Sequence, residues 1–522
     1  MSYNIPQRKP NEDFGTLTTH AIRHENAILA ENGALCVTTG KRTGRSPKVK
    51  RVVDHPSIHD KINWNRYNIP YDPELFELGW RIALHHAKEG PPLFYSNDLF
   101  GGTHPKYRIP LEAYTEYAWH QHFIRTVVPK DAGAPRTGEA YTLLNLPSFE
   151  VPKALKMEEE AGIWIDYVGK RILALGLKYG GENKKAFFCV ENFEIPLMGG
   201  LTMHCAVVVT KDGKVVWLFG LSGTGKTTHA SSQVLTMLGD DMHAYTPDWI
   251  TSQLEGGCYP SIINLSKEKE PVVWEAVNQY GSVLENVILH EGVPDFNDGT
   301  LTQNTRGAYP LSHVKRRTDS LLVGKPDYII FLTCDAHGTI PPLSILKSRE
   351  AVLHHYLSGY TSAVGRTLSG AGKAIAPTFS SYFGEDFYPL LPSYYVDLFS
   401  RMYDTCKPTV ALINTGYTGG SADDGRGHRF DIPVSRRVIE AVVHGEITEK
   451  DCTVFIPELN LWVPPHIDGV KDEERLPSLA WADRKDDYIA RCKQLGADFG
   501  ANWDKKFPTL AKEIRDAGLP RS

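Results

Sequence analysis

The sequence predicts an α/β fold with more than one lobe, and three observations support this. A short apolar, β-prone run at residues 215–219 leads directly into a glycine-rich loop and the start of a helix. Near-continuous apolar runs at residues 328–333 and 410–414 are typical of strands buried in a sheet, whereas residues 434–443 and 486–495 have helical spacing. The length of 522 residues exceeds that of a single small domain.

Composition and charge indicate which classes of protein this sequence does not resemble. The formal net charge of −5 gives no global reason to expect nucleic acid or an acidic membrane as a partner, and a basic loop at residues 41–51 is the sole feature favouring nucleic acid. No apolar run approaches membrane-spanning length, and the first 14 residues lack the apolar core of a signal peptide. Eight scattered cysteines without a C-x-x-C pair fit reduced thiols. We therefore expect a cytoplasmic protein.

The central motif is a phosphate loop that matches G-x-x-x-x-G-K-[ST] at every position. Its glycines let the backbone wind around a polyphosphate, and the following helix N-terminus favours negative charge. Lys226 can reach the terminal phosphates, and the Thr227 hydroxyl can bind Mg²⁺. Thr228 stands where a dinucleotide motif needs its third glycine, which excludes a Rossmann site. The predicted nucleotide-binding residues here are Gly220, Leu221, Ser222, Gly223, Thr224, Gly225, Lys226, Thr227 and Thr228.

Three polar clusters outside the loop allow more than one interpretation. Asp240 and Asp241 follow the loop closely and could hold a divalent metal, although an acidic turn is an equally good interpretation. Lys184 and Lys185 stand beside a glycine turn, where a solvated basic loop is the usual outcome and a cationic site the alternative. His204 lies within an apolar strand, which more often holds a core histidine than a metal ligand.

Two arginines lie in polar loops. Arg45 stands in Thr-Gly-Arg-Ser-Pro and Arg306 in Asn-Thr-Arg. A guanidinium can form two parallel hydrogen bonds to a carboxylate or phosphate, but arginines are also common on surfaces. Each position alone is therefore weak evidence for an anion site.

Taken together, these motifs form a series that resembles the ATP-dependent phosphoenolpyruvate carboxykinase family. The resemblance covers roughly residues 35–460, and its combined motif series is highly specific. The motifs, in chain order, are TGRSPK at 43–48, YGGENKK at 179–185, MHC at 203–205, GLSGTGKTT at 220–228, GDD at 239–241, EGGCY at 255–259, NTR at 304–306, FLTCDA at 331–336, PTFS at 377–380 and NTG at 414–416.

The resemblance implies an enzyme of gluconeogenesis, a decarboxylating lyase that converts oxaloacetate and ATP into phosphoenolpyruvate, ADP and CO₂. It also implies two metal ions. Mn²⁺ would be held by Lys185, His204 and Asp241, and Mg²⁺ would accompany the nucleotide on Thr227. A lysine must be neutral to bind a metal, so Lys185 would have to give up its proton.

The resemblance also assigns roles at the substrate. Arg45 would hold a substrate carboxylate, with Tyr179 beside the departing CO₂. Lys184, Lys226 and Arg306 would neutralise the charge spread over the transferred phosphoryl group. The implied catalytic residues are Lys184, Lys185, Lys226 and Arg306, and the implied substrate-binding residues are Arg45, Tyr179, Lys184 and Arg306.

At the adenine end the chain departs from the family pattern. Arg429, Phe430 and Ser435 stand where the family has an arginine, an apolar residue and a threonine for the base and ribose. Serine keeps the hydroxyl of threonine. The loop at residues 419–428 is longer and more acidic than the family pattern, which leaves the nucleotide preference open.

The fold implied by the resemblance is two-lobed α/β. Residues 1–199 would form a substrate-side lobe, and residues 200–522 a nucleotide-binding lobe with a mixed sheet around the phosphate loop. The active site would lie in the cleft between them, where closure excludes water.

Two other functions stay open on the sequence. The first is a relative that uses the same phosphoryl-transfer site on another carboxylic acid or with another phosphate donor. The second is a regulatory ATPase, for which Lys184, Lys185 and His204 would be incidental. The number of independent motifs that agree favours the carboxykinase.

Overall fold

The structure, a computed structural model, describes residues 5–131, 133, 138–232, 234–364, 375–518 and 520. The chain divides into two compact units. Unit 1 comprises residues 1–202, 242–322 and 386–395, and unit 2 comprises residues 203–241, 323–385 and 396–522. The chain thus first leaves unit 1 after Thr202 and re-enters it at Met242 and Asp386. The division into lobes of residues 1–199 and 200–522, and the function of each lobe, stay predictions.

A seven-stranded mixed sheet forms the larger core of unit 1. Its strand order is Ile69–Tyr71, Lys50–Val53, Gly162–Asp166, Arg171–Leu175, Tyr141–Leu146, Ile109–Thr115 and Phe94–Gly101. The helix Pro73–Glu89 begins at Asp72, whose carboxylate accepts from the backbone N–H groups of Glu74 and Leu75. Phe76 and Trp80 on this helix are buried with Trp164 of the sheet in one hydrophobic cluster.

A second, five-stranded sheet of unit 1 carries several candidate residues. Its order is Ile28–Leu29, Leu35–Val37, Val283–Glu285, Arg306–Pro310 and Gly257–Cys258. The antiparallel register places Glu285 directly opposite Arg306. Two antiparallel pairs complete the strands of this unit, Met242–Tyr245 with Thr251–Gln253 and Ile288–His290 with Val293–Asp295. The other helices of unit 1 are Phe14–His24, Ala118–Val127, Gly181–Leu197 and Pro271–Val277.

The main sheet of unit 2 contains the strand that leads into the phosphate loop. Its strands follow the order Thr236–Gly239, Leu201–Val209, Val215–Gly220, Tyr328–Thr333, Thr409–Asn414, Leu343–Ile345, Leu461–Val463 and Val454–Ile456. The strand before the loop is buried throughout and pairs in parallel with Tyr328–Thr333, which pairs in parallel with Thr409–Asn414. Burial on both faces explains why these segments are continuously apolar.

The remaining elements belong mainly to unit 2. Its helices are Lys226–Ala230, Arg349–Ser358, Ile432–Val443, Asp472–Arg475, Pro477–Ala480, Lys485–Lys506 and Lys512–Asp516, while Pro392–Cys406 begins in unit 1. Two further antiparallel pairs join Tyr360–Val364 to Ile375–Phe379 and Tyr417–Thr418 to His428–Arg429. The strand Leu322–Val323 lies at the junction of the units in the sequence. Among the described residues, no helix combines the length and apolarity that crossing a membrane requires.

The α/β class and the predicted central strands are confirmed. The spacing of aromatic and aliphatic residues at 112–128 predicts a helix, and this prediction is wrong in part. The first four of these residues belong to the strand Ile109–Thr115, and the helix Ala118–Val127 begins later. The strand and the helix are both buried almost throughout, so apolar spacing alone did not separate them.

Candidate active site

The phosphate loop joins the buried strand Val215–Gly220 to the helix Lys226–Ala230. The sequence predicts that this helix begins at Thr228, two residues later than it does. Gly223 and Gly225 have φ angles of +83° and +91°, a region that glycine alone adopts at little cost. Within the loop, the Thr224 hydroxyl donates to the Leu221 carbonyl oxygen at 2.8 Å. This hydrogen bond stabilises the turn of the loop.

Three side chains of unit 2 meet beside this loop. The Lys226 ammonium lies 2.6 Å from Asp241 Oδ1 and 3.4 Å from His204 Nε2. His204 Nε2 lies 2.9 Å from the same Asp241 oxygen. These contacts unite residues from the strand Leu201–Val209, the phosphate loop and the turn after Thr236–Gly239.

The ring of His204 is fixed from its other side. Its Nδ1 lies 2.5 Å from the carbonyl oxygen of Phe383, which can accept only, so Nδ1 carries a proton. A histidine held through Nδ1 to a backbone carbonyl presents Nε2 in a defined direction, as metal-ligating histidines do. An imidazole nitrogen and a carboxylate oxygen that converge in this way form a donor pair suited to a divalent transition metal.

Asp240 is a second carboxylate at the loop. Its side chain is buried, and the Thr227 hydroxyl donates to its Oδ2 at 3.3 Å. A hydroxyl and a carboxylate side by side after a phosphate loop are hard oxygen ligands of the kind that Mg²⁺ prefers.

The adenine-end residues also lie in unit 2. The Arg429 guanidinium donates to the carbonyl oxygens of Gly223 at 2.7 Å and Thr415 at 2.9 Å, which ties the loop at residues 419–428 to the phosphate loop. Phe430 is buried. Ser435, also buried, lies in the first turn of the helix Ile432–Val443.

In unit 1 the two neighbouring lysines have different surroundings. Lys184 Nζ forms an ion pair of 2.6 Å with Glu255, and the two side chains are 2% and 1% exposed. The other Glu255 oxygen accepts from the backbone N–H of Met242 at 3.1 Å. Lys185 Nζ instead lies 4.5 Å from the ring centroid of Phe387. The interpretation of these lysines as a solvated basic loop is therefore wrong for Lys184, which is buried and paired.

Glu285 organises the tyrosines near Lys184. It is fully buried, accepts from the Gly180 backbone N–H at 3.0 Å, and accepts from the Tyr259 hydroxyl. Burial raises the pKa of Glu285 to about 7, although both hydrogen bonds oppose the shift. A Cβ on Gly180 would come within 2.6 Å of the Glu285 carboxylate, so this close approach requires glycine.

Tyr179 and Arg306 both lie near the Tyr259 ring. The Tyr179 ring centroid is 6.1 Å from that of Tyr259, and the Arg306 guanidinium carbon is 5.8 Å from the latter. Arg306 Nε donates to Asn304 Oδ1 at 3.0 Å, which sets the plane of the guanidinium. Arg45 stacks on Phe387 at 4.5 Å and forms an ion pair with Asp386.

The predicted site residues thus form two groups. Unit 1 contains Arg45, Tyr179, Lys184, Lys185 and Arg306, and unit 2 contains His204, residues 220–228, Asp241, Arg429, Phe430 and Ser435. Sequence reasoning assigned no role to Glu255, Glu285 or Asp386. An acidic residue within the apolar run at residues 283–287 was the one available signal for Glu285.

Comparison with known proteins agrees with the motif series. A family model described as phosphoenolpyruvate carboxykinase matches residues 7–473. The phosphoenolpyruvate carboxykinase (ATP) of Geobacillus kaustophilus is 38% identical over 509 residues, which are 97% of this chain and 94% of that protein. The proteins of the same name from Shouchella clausii (39% over 507 residues, 96% and 94% covered) and Oceanobacillus iheyensis (36% over 513 residues, 97% and 95% covered) are similarly related. The resemblance found in the sequence is confirmed, and the chain belongs to the ATP-dependent phosphoenolpyruvate carboxykinase family.

Proposed function

We propose that this chain converts oxaloacetate and ATP into phosphoenolpyruvate, ADP and CO₂, a step of gluconeogenesis, as an enzyme of its family. The observation that carries the proposal is the meeting of Lys226 with His204 and Asp241 beside the phosphate loop. Lys226, which would bind the terminal phosphates of the nucleotide, lies directly beside His204 and Asp241, a donor pair suited to a divalent ion.

His204 and Asp241, together with Lys185, are the ligands we propose for Mn²⁺. The fit rests on the converging Nε2 and Oδ1 atoms, on the Nδ1 anchor at Phe383 and on the Lys226 ammonium, a cation already placed against both donors. Bound there, the ion would stabilise the negative charge left on the substrate oxygen when CO₂ departs. Thr227, with Asp240 beside it, is the corresponding proposal for Mg²⁺ with the nucleotide.

Arg45 and Tyr179 are proposed to position oxaloacetate. The Arg45 guanidinium, stacked on Phe387, can hold one carboxylate through parallel hydrogen bonds. Tyr179, buried near Tyr259, would line the space for the carboxylate that leaves. Breaking that carbon–carbon bond leaves its electron pair on the pyruvate fragment as an enolate, so no proton moves in this step.

The enolate oxygen then attacks the γ-phosphorus in line, and the bond to the ADP oxygen breaks. Lys226, Lys184 and Arg306 are proposed to balance the charge on the transferred group. Their ammonium and guanidinium groups are held by Asp241, Glu255 and Asn304, so little reorganisation is needed at the moment of transfer. Exclusion of water matters because protonation of the enolate would give pyruvate instead.

Arg429, Phe430 and Ser435 are proposed to contact the ribose and base of ATP. Arg429 already bridges to the phosphate loop through the Gly223 carbonyl oxygen, which supports a place near the nucleotide. We also propose that unit 1 is the substrate-side lobe and unit 2 the nucleotide-binding lobe. A cytoplasmic location is part of the proposal, because ATP and oxaloacetate are intracellular metabolites.

The direct test measures phosphoenolpyruvate formed from oxaloacetate with ATP, Mg²⁺ and a trace of Mn²⁺, with GTP and pyrophosphate in parallel reactions. Product with ATP alone supports substrate, reaction and donor together. Product with another donor would support the proposed reaction but not ATP as its donor, and would indicate that the loop at residues 419–428 changes the nucleotide preference. Folded protein that binds ATP but forms no product with any donor would contradict the proposal and favour another acid substrate or a regulatory ATPase.

A further inference from the structure

A cavity in unit 1 carries an unusual mixture of charges. Its lining includes three cationic side chains and two carboxylates, beside the apolar ring of Phe387: Arg45, Lys50, Lys185, Glu182 and Asp386. The Phe387 ring has Arg45 and Lys185 against it, each 4.5 Å from the ring centroid. The Arg45 guanidinium at this cavity can hold a carboxylate of a small molecule through parallel hydrogen bonds.

The two carboxylates of the lining have different partners. Glu182 accepts from the backbone N–H of Ser46 at 2.6 Å, so it holds the loop that carries Arg45. Asp386 instead directs its carboxylate to the Arg45 guanidinium, accepting from Nη2. The backbone of Asp386 is anchored separately, since its carbonyl oxygen accepts from Lys50 Nζ at 2.6 Å.

The ion pair between Arg45 and Asp386 is exposed enough for a ligand carboxylate to replace that of Asp386. The Arg45 side chain is 33% exposed and that of Asp386 is 14% exposed. An ion pair that solvent partly reaches contributes little net free energy, so an incoming carboxylate can replace its acid at small cost. Lys50 would keep the Asp386 backbone in place while the side chain turns away.

We propose that Asp386 is an affinity-setting residue that occupies the substrate-carboxylate position on Arg45 until oxaloacetate displaces it. This inference rests on the proposed role of Arg45 in binding substrate. The internal carboxylate weakens binding of every ligand that needs Arg45, and its negative charge repels phosphoenolpyruvate, the more highly charged product, more strongly than oxaloacetate. Asp386 therefore lowers affinity for substrate and limits inhibition by product.

The experiment compares Asp386→Asn and Asp386→Ala with the wild-type enzyme. With ATP saturating, both variants are expected to lower KM for oxaloacetate by roughly twofold to fivefold, the range for releasing a partly exposed ion pair, with kcat changed by less than about twofold. Calorimetric titration with malonate, a dicarboxylate probe that needs no turnover, should show tighter binding by a similar factor. Inhibition by phosphoenolpyruvate should strengthen at least as much as oxaloacetate binding.

Glu385→Gln is the matched control, because this neighbouring acid pairs with Lys506 rather than with Arg45. It should leave KM and malonate affinity unchanged. A higher KM in both Asp386 variants would overturn the inference and make Asp386 a support that orients Arg45, and an unchanged KM would overturn it as well. Arg45→Gln separates the two proposals: if it leaves KM for oxaloacetate unchanged, the role of Arg45 in the proposed function fails, whatever Asp386 does.

Discussion

The ammonium nitrogen of Lys226 lies 2.6 Å from a carboxylate oxygen of Asp241, so the phosphate-loop lysine balances the charge of a proposed metal ligand. The same nitrogen is 3.4 Å from His204 Nε2. At such separations in a largely buried site, a change of charge on one group alters the electrostatic energy of the others. We therefore expect metal binding and phosphoryl transfer to depend on each other.

Removing the ammonium of Lys226 should slow the phosphoryl-transfer step strongly. Lys226→Ala is expected to lower kcat by roughly 10²–10³-fold or more, the range for losing one preorganised charge-stabilising group. The measurement is phosphoenolpyruvate formation at saturating oxaloacetate and ATP. Lys214→Ala is the matched control, since this exposed lysine of the same unit pairs with Asp327 away from the loop. Near-normal turnover of Lys226→Ala would contradict the assignment of the loop.

Substituting His204 should weaken the metal site selectively. His204→Gln removes the imidazole Nε2 and is expected to raise the half-saturating Mn²⁺ concentration by roughly 10- to 100-fold. Titration of Mn²⁺ binding by electron paramagnetic resonance, alongside activity, separates binding from turnover. His290→Gln is the control, because this exposed histidine lies 3.6 Å from the carboxylates of Asp295 and Asp298 and tests whether that group binds Mn²⁺ instead. If His204→Gln binds Mn²⁺ as tightly as the wild type, His204 has a structural role and is not a metal ligand.

The sequence predicted the structural features that depend only on residues close together in the chain. The strand, loop and helix around Lys226 lie in one continuous stretch whose glycines and apolar run are local signals. The position of His204 was ambiguous, since its anchor, the Phe383 carbonyl, is 179 residues away. An apolar strand with one histidine looks the same whether that histidine fills a core or presents a ligand atom.

The carboxylates of unit 1 could not be predicted for a related reason. Glu285 meets Gly180 across 105 residues, and Asp386 meets Arg45 across 341 residues. Nothing in local composition indicates which acid a folded chain will bring to a given arginine or glycine turn. Motifs therefore identified the family and predicted its reacting groups, whereas the partners that orient those groups required the fold.

The buried carboxyl of Glu285 should make stability depend on pH. Its pKa in the folded protein is about 7 against an ordinary value of 4.5, so between these values the folded state keeps a proton that the unfolded state has lost. The free energy of unfolding should therefore fall by a total on the order of 3 kcal/mol as pH rises from about 4.5 to 7. Above about pH 7 it should level off. Glu285→Gln cannot ionise and should lack this decline.

Thermal unfolding midpoints between pH 5 and 8 check this prediction. The difference between Glu285→Gln and wild type should grow in favour of the variant up to about pH 7. Glu268→Gln, at an exposed acid of the same unit, should follow the wild-type curve. Parallel curves for Glu285→Gln and wild type would show that Glu285 does not carry the pH dependence.

Asp424 links the loop at residues 419–428 to the C-terminal region of unit 2. Its carboxylate pairs with Arg484 at 3.0 Å and accepts from the backbone N–H groups of Ser421, Arg426 and Gly427, which hold its pKa below the ordinary range. This clamp fixes the turn that leads to Arg429. Asp424→Asn is therefore expected to raise KM for ATP by roughly tenfold, or ~1.4 kcal/mol of lost positioning, with little change in KM for oxaloacetate.

Asp423→Asn is the matched control for Asp424→Asn, because Asp423 is adjacent and pairs with Arg491 at the surface. It removes the same charge without breaking the backbone clamp, so KM for ATP should stay near wild type. Arg484→Lys keeps a cation opposite Asp424 and should show a smaller rise than Arg484→Ala. Equal effects of Asp423→Asn and Asp424→Asn would mean that overall loop charge, rather than the clamp, governs nucleotide affinity. A rise confined to Asp424→Asn and Arg484→Ala would assign the helix Lys485–Lys506 and the turn before it a part in nucleotide binding.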